Sequence, residues 1–521
     1  MIPTISPAAV RERLILRTET ALIDLREEDP FAAAHPLFAS QMSAGQIEVE
    51  AGDRIPRKDC CIVLYDDGDG LVDRAAAVFG RRGYSDVRAL EGGLQGWRAA
   101  GYELFQDVNS YSKAFGELVE HRRHTPSLTA SEVKALIDAN SNIRVMDVRR
   151  FDEYATMSIP SGTSVPGGEL VLRGAALAPN PETTIIVNCA GRTRSIIGTQ
   201  SLINARLPNR VFALRNGTIG WTLAGQTLDG GQDRRAELPD AKNVSIARER
   251  AREVSYRAGV RRVTPETASA LAARPGRTLY RFDVRDPAEY CAGHPAGFRN
   301  APGGQLVQET DMFAPVRGAS ILLADDIGPR ADMTASWLAQ MGWEVYVLDG
   351  GFEGALEQGD APVSIAPVPQ VPTISAENLA GLLVAGGVTL IDLASSRVYR
   401  RHHIAGARFA LRVDLPAILA DMTDIGQLVF TSPCGALAAF AAEELAAHAP
   451  RVLEGGTDRW NAEGRPTQDG FDVALSPSRD HYKRPYEGTD NAQAAMEAYL
   501  EWEYGLVDQL ARDGTHGFTV L

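Results

Sequence analysis

Two short motifs recur four times, in the same order, along this chain of 521 residues, and the recurrence argues against one continuous core. The first is an apolar run closing on an aspartate: Leu22-Ile23-Asp24-Leu25-Arg26, Val145-Met146-Asp147-Val148-Arg149, Arg281-Phe282-Asp283-Val284-Arg285 and Leu390-Ile391-Asp392-Leu393. The second is a glycine-rich turn: Leu90-Glu91-Gly92-Gly93-Leu94-Gln95-Gly96-Trp97, the stretch from Leu214 to Trp221, Leu348-Asp349-Gly350-Gly351-Phe352-Glu353-Gly354, and Leu453-Glu454-Gly455-Gly456-Thr457-Asp458-Arg459-Trp460. Self-similarity of this kind marks tandem copies of one folding unit. Each copy alternates short β-branched runs with amphipathic helical stretches, which predicts an α/β unit: a mostly parallel sheet with helices on both faces. The paired glycines supply positive φ or close backbone approach, and the tryptophan beside them reads as core.

The expected layout is four repeats, residues 1–106, 126–229, 260–360 and 372–472, followed by a tail, 473–521, with one helix. Residues 109–125 and 239–258 read as helical connectors, the second basic through Arg248, Arg250, Arg252 and Arg257 and read as a solvated face. The proline-rich run from Ala361 to Pro372 is a semi-rigid extended linker. In the tail, Asn491 to Arg512 carries Met496, Tyr499, Leu500, Tyr504, Leu506 and Leu510, with Trp502 among them, on a helix that either covers a cleft or forms a homodimer contact.

A formal net charge of -14 argues against a nucleic-acid-binding surface, which needs clustered Lys and Arg, and no such stripe stands in the sequence. The five cysteines, Cys60, Cys61, Cys189, Cys291 and Cys434, have no metal-ligand spacing and read as reduced thiols in a cytoplasm. The first residues lack the basic-then-apolar pattern of a signal peptide, and no apolar run is long enough to cross a bilayer. A soluble cytoplasmic protein without metal or organic cofactor is expected.

Chemistry concentrates in Ile185-Ile186-Val187-Asn188-Cys189-Ala190-Gly191-Arg192-Thr193-Arg194-Ser195. A buried strand leads into Cys189 and a helical pattern follows it, so loop N–H groups and the first helical turn converge on the thiol and favour negative charge there. The helix end contributes roughly 0.3–1 kcal/mol, up to ~2 when partly buried, and Arg192 and Arg194 add positive charge. A thiolate populated near neutral pH is therefore expected. A merely structural cysteine is the alternative, but two arginines and a glycine in the next five residues are hard to bury without an anion.

Cys189-Ala190-Gly191-Arg192-Thr193-Arg194 resembles the six-residue active loop of the rhodanese family, sulfurtransferases that carry a sulfane sulfur as a persulfide on the loop cysteine. Val145 to Arg149 with Phe151-Asp152-Glu153-Tyr154 resembles the family's opening box, and Leu214 to Trp221 its closing box. Met157-Ser158-Ile159-Pro160-Ser161-Gly162 departs from the usual Gly-His-Ile-Pro-Gly-Ala. The resemblance implies four tandem five-stranded domains and a double displacement. Cys189 takes sulfur from a small anionic donor, thiosulfate first among them, and passes it to cyanide or a thiol acceptor. It further implies that Ala190, Gly191, Arg192, Thr193, Arg194 and Ser195 bind substrate and that Arg149 lines the same cleft.

The other repeats lack the thiol. Asp66, Asp325 and Ser432 stand where Cys189 does, and Cys434 lies two residues on without arginine neighbours. Repeats one, three and four are read as inactive. A persulfide carrier or non-catalytic scaffold for a partner protein is the competing reading. The related cell-cycle phosphatases need five residues between Cys and Arg, whereas Arg194 follows Cys189 after four. A mercaptopyruvate-type loop resembles Cys-Gly-Ser-Gly-Val-Thr and carries no arginines.

Overall fold

Ile185, Ile186 and Val187 make the central strand of the second repeat because a β-branched run can bury both of its faces between helices. In the computed structural model, which describes residues 2–423, 425–471 and 473–521, Ile185 and Val187 face one apolar cluster with Leu170, Val171 and Leu202. Ile186 faces the opposite cluster with Val133, Val145, Leu214 and Trp221. This alternation is the two-residue period of a strand.

The sheet of this repeat is five-stranded and parallel, in the order Ser127–Leu128, Val211–Leu214, Thr184–Asn188, Ile143–Asp147, Thr163–Ser164. Sheets of the same order are built on the central strands Ser320–Ala324 and Gln427–Thr431. The sheet around Cys61–Tyr65 shares it, with one addition: Val316–Arg317 from the third repeat joins antiparallel to Thr20–Asp24 and makes that sheet six-stranded. Four mostly parallel α/β sheets flanked by helices are thus present. The boundaries expected at residues 1 and 472 lie outside the described residues.

The repeats are pressed together rather than strung out. Gly167 and Gly168 meet Gly303 and Gly304, where a Cβ on Gly168 would stand 3.1 Å from the Gly304 nitrogen. Arg412 of the fourth repeat reaches Glu48 of the first with Nη1–Oε2 at 2.8 Å and Nη2–Oε1 at 3.0 Å. The connector helix Ser110–Arg123 is buried along its first ten residues and lies against the helix that follows Cys189. A Cβ at Gly116 would sit 2.7 Å from Thr193 Cγ2. The second connector, Ala241–Arg257, is not simply solvated: Ala247, Ala251 and Val254 are buried.

The tail carries two helices, Gln493–Tyr504 and Leu506–Asp513, and not one. They part at Gly505, the weakest helix former available apart from proline. Both touch the connector helix Ser110–Arg123, while Met496, Tyr499 and Leu500 of the first pack on Ile219 and Leu506 and Leu510 of the second join the large core. Among the described residues no helix is long and apolar enough to cross a membrane.

Candidate active site

Cys189 follows the central strand Thr184–Asn188 and precedes the helix Thr193–Asn204, where ligands bind in open parallel sheets. The glycine-rich turn holds the loop from behind. The N–H groups of Thr218 and Ile219 donate to the carbonyls of Cys189 and Ala190 at 2.9 and 3.0 Å. Gly217 stands at φ 54, and a Cβ there would fall 2.3 Å from the Cys189 carbonyl oxygen, so this contact requires glycine.

The degenerate repeats show what such a loop attracts. Asp325, in the place of Cys189, accepts the N–H groups of Ile327 at 3.1 Å, Gly328 at 2.9 Å, Arg330 at 2.9 Å and Ala331 at 3.3 Å. Arg330 Nε adds a bond at 3.0 Å. Burial works against that carboxylate, yet Arg330 and the loop N–H groups hold it below its ordinary range. In the first repeat Asp66 accepts from Gly68 and Leu71 at 3.1 and 2.7 Å. In the fourth, Ser432 Oγ accepts from the Ala438 N–H at 3.2 Å. The N–H cradle is thus an anion site in which the covalently attached carboxylate plays the anion.

In the second repeat the same place holds a thiol, and its charge state differs from the expected one. Cys189 is 1% exposed, and burial pushes its thiol up, against Arg194 and the hydroxyl and N–H of Ser195. The magnitudes explain the outcome. A helix end supplies at most ~2 kcal/mol, about 1.5 pKa units, whereas full burial moves a group by up to about 3–5 units. The resting group is the thiol.

The two loop arginines part company. Arg194 stays beside Cys189 and is held by Glu153, with Nη1–Oε2 at 2.7 Å and Nη2–Oε1 at 2.9 Å. Burial favours protonation of Glu153, but Arg194 first, then Arg149 and Arg150, outweigh it and hold the carboxyl down to about 2. Arg192, expected to face the donor, turns away. It pairs with Glu117 at 2.8 Å through Nε and Nη2, meets Glu120, donates to Asn216 Oδ1 at 3.1 Å and lies over the Tyr504 ring. Its burial demanded carboxylates, which the connector helix provides.

Arg149, expected to line the same cleft, is also taken up by partners. Its guanidinium is consumed by Asp147 at 2.9 and 2.7 Å and by the Met157 carbonyl at 2.6 Å, as Arg26 and Arg285 are by Asp24 and Asp283. It braces the strand end and does not line the cysteine loop. Ala190, Gly191, Thr193 and Ser195 are buried, and Ser195 Oγ donates to the Arg192 carbonyl at 2.8 Å.

The tail covers this loop within the same chain. Met496, Tyr499 and Leu500 pack on Ile219, with Tyr486 and Trp502 beside them, and burying each such side chain contributes about 1.5–3 kcal/mol. Tyr504 Oη donates to Asn216 Oδ1 at 3.1 Å. Glu503, 1% exposed, lies over Gly191: a Cβ there would stand 3.2 Å from Glu503 Oε2 and 3.1 Å from Tyr499 Cε1. Next to Arg194 and Tyr486 opens a cavity of about 250 Å³ where the repeats meet, also lined by Arg150, Arg397 and Arg484. Glu503 was not singled out from sequence, although a carboxylate four residues after Tyr499, on the apolar face of its helix, was the available signal.

The family model described as Rhodanese-like domain matches residues 6–100, 129–224 and 264–358. A thiosulfate sulfurtransferase GlpE of Pseudomonas putida is 32% identical over 97 residues, 18% of this chain and 82% of that protein. One of Tolumonas auensis is 32% identical over 94 residues, 18% of this chain and 85% of that protein. Over the full length, the crystal structure of thiosulfate sulfurtransferase from Pseudomonas aeruginosa is similar with a TM-score of 0.97 and 53% identity, covering 100% of both chains.

Proposed function

The chain belongs to the family of proteins built from rhodanese-like domains, and from that premise we propose that it is a thiosulfate sulfurtransferase working through a persulfide on Cys189. One observation carries the reading. The second repeat places a thiol in a loop whose counterpart in the third repeat gathers four backbone N–H groups and an arginine around a carboxylate. A persulfide anion, Cys189 Sγ bonded to one further sulfur, has the charge and the position of that carboxylate. The names of the full-length and single-domain relatives support the same activity.

In this reading the chain divides into repeats 1–106, 126–229, 260–360 and 372–472 and a tail 473–521, of which only the second does chemistry. Asp66, Asp325 and Ser432 leave the other loops without a sulfur nucleophile. Ser195 and the loop N–H groups from Ala190 to Arg194 hold the persulfide, and Arg194, fixed by Glu153, supplies the positive charge facing the donor. Arg192 acts by anchoring the connector and tail helices. The acceptor is cyanide or a thiol. The five free cysteines suit a reducing, cytoplasmic compartment. The apolar face of the tail is used within the chain, against Ile219, so the tail serves as a cover for the site.

The test is a thiosulfate:cyanide transfer assay on wild type and Cys189→Ser, paired with a mass spectrum of the Cys189 peptide after thiosulfate. Gain of one sulfur atom on that peptide, and loss of turnover in the variant, are expected. A wild type that neither gains sulfur nor forms thiocyanate would instead leave the scaffold reading standing.

A further inference from the structure

We infer that Glu503, carried by the tail helix outside all four repeats, binds the anionic sulfur donor above the cysteine loop by donating a hydrogen bond from Oε2. The inference rests on the sulfur-transfer reading and adds to it a substrate-binding acid that the loop motif does not contain.

The geometry is specific about the oxygen involved. Glu503 Oε1 accepts the Tyr499 hydroxyl at 2.9 Å. Oε2 is buried and has no hydrogen-bond partner among the described residues. It is this second oxygen that stands over Gly191, two residues from the thiol. A buried polar atom without a partner costs about 1–3 kcal/mol, and a ligand seated on the loop would supply that partner.

The charges around Glu503 decide which form it takes. From the connector helix it faces Lys113 and Glu117, from the loop Arg192 and Cys189, and from its own helix Tyr499. Lys113 is already paired with Asp107 at 2.8 Å and Arg192 with Glu117 at 2.8 Å, so little net positive charge remains for Glu503. Burial, followed by repulsion from Glu117, pushes its carboxyl up to about 8 against Lys113, Tyr499 and Arg192. Below that pH Glu503 is neutral and can donate to an anion; above it, the carboxylate repels one.

The transfer step balances without consuming this proton. Cys189 Sγ bonds to the outer sulfur of thiosulfate, and the bond from that sulfur to the sulfonate breaks with its electron pair leaving on the sulfonate. The thiol proton departs on the sulfite as hydrogensulfite. Thiol and thiosulfate dianion thus give a persulfide anion and hydrogensulfite, while Glu503 keeps its proton and holds the sulfonate oxygens as their charge shifts.

Binding to protein that cannot react separates this role from the chemistry. Thiosulfate is titrated calorimetrically into Cys189→Ser at pH 6.5 and 9.5, alone and combined with Glu503→Gln or Glu503→Ala, with circular dichroism to verify folding. With Glu503 present, Kd should weaken by at least about tenfold at the higher pH, the scale of a lost charge-assisted hydrogen bond. Glu503→Gln, which keeps a donor and cannot ionise, should bind equally at both pH values, and Glu503→Ala should bind weakly at both. A pH-independent Kd with Glu503 in place, or Gln and Ala variants that behave alike, overturns the inference. Those results alongside a wild type that does acquire sulfur on Cys189 would remove Glu503 alone; a wild type that acquires none removes the sulfur-transfer reading with it.

Discussion

Arg194 and Glu153 form a two-point ion pair, at 2.7 and 2.9 Å, on the wall of the cavity beside the cysteine loop. The third repeat keeps the same pair as Arg330 and Glu289 at 2.7 Å, but there Arg330 also reaches the carboxylate of Asp325 at 2.9 Å. In the second repeat no carboxylate stands at that place. Arg194 is therefore aimed by Glu153 and left with capacity for a bound anion.

Replacing Arg194 by alanine should remove a charge-assisted contact of roughly 1.5–3 kcal/mol, lowering kcat/KM for thiosulfate by about tenfold to a hundredfold. It also removes the cation that opposes the burial of the Cys189 thiol. Alkylation of Cys189 by iodoacetamide should slow, with its half-point at higher pH, while exposed Cys434 in the same sample reports an unchanged rate. An Arg194→Ala protein matching wild type in both measurements would count against the role of this residue.

Arg192→Ala should move the alkylation in the opposite direction. Its guanidinium ties the connector through Glu117 and Glu120 and the tail through the face of Tyr504. Without it, Glu117 is a buried carboxylate short of a partner, a loss of about 3–5 kcal/mol when one member of such a pair goes, and the cover over Cys189 loosens. Faster labelling of Cys189 with a lowered Tm is the expected signature. Slower labelling would mean that Arg192 acts on the sulfur directly.

The parts of this site that sequence could reveal are those in which a residue type serves local backbone geometry. The fourfold sheet, the thiol at a strand end and the glycine turn behind it follow from alternation, from Gly217, and from Asp325 and Asp66 standing in register with Cys189. Charge was less legible. Arg192 and Arg194 are two residues apart and alike in chemistry; what separates them is Glu117 on a connector helix and Glu153 in the opening box, partners supplied by packing. The raised thiol of Cys189 has the same origin: it is buried by the packed chain, and Glu503 of the tail, more than three hundred residues downstream, adds to the rise.

Cys189→Asp converts the second loop to the form of the third. The new carboxylate would meet the loop N–H groups and Arg194 much as Asp325 meets its own cradle and Arg330. The variant should fold with a Tm no lower than wild type and transfer no sulfur. A drop of about 5 °C or more, roughly 1 kcal/mol for a unit of this size, would show that the second loop is not shaped to hold an anion, and would weaken the persulfide reading with it.

The fourth repeat offers a test of the brace at the strand end. In the first three, the aspartate of the opening motif is neutralised by the arginine two residues on, as Asp147 is by Arg149 at 2.7 Å. The fourth has Ala394 there, and its backbone N–H, at 2.9 Å, bonds Asp392 Oδ1, while Oδ2 has no partner among the described residues. Burial then pushes the Asp392 carboxyl up to about 7, opposed only by that N–H. A carboxyl raised above its unfolded value near ~3.9 favours the folded state while protonated. That contribution is complete below the unfolded value and is lost as pH rises through the folded one. Asp392→Asn imitates the protonated form at every pH. The difference in Tm between variant and wild type should therefore grow in the variant's favour between pH 4 and pH 8, by about 4 °C or more if the repeat unfolds as a unit. Every other titrating group is common to the two proteins and cancels in the difference. A difference that stays flat over this range would mean that Asp392 is ionised and neutralised in the folded protein after all.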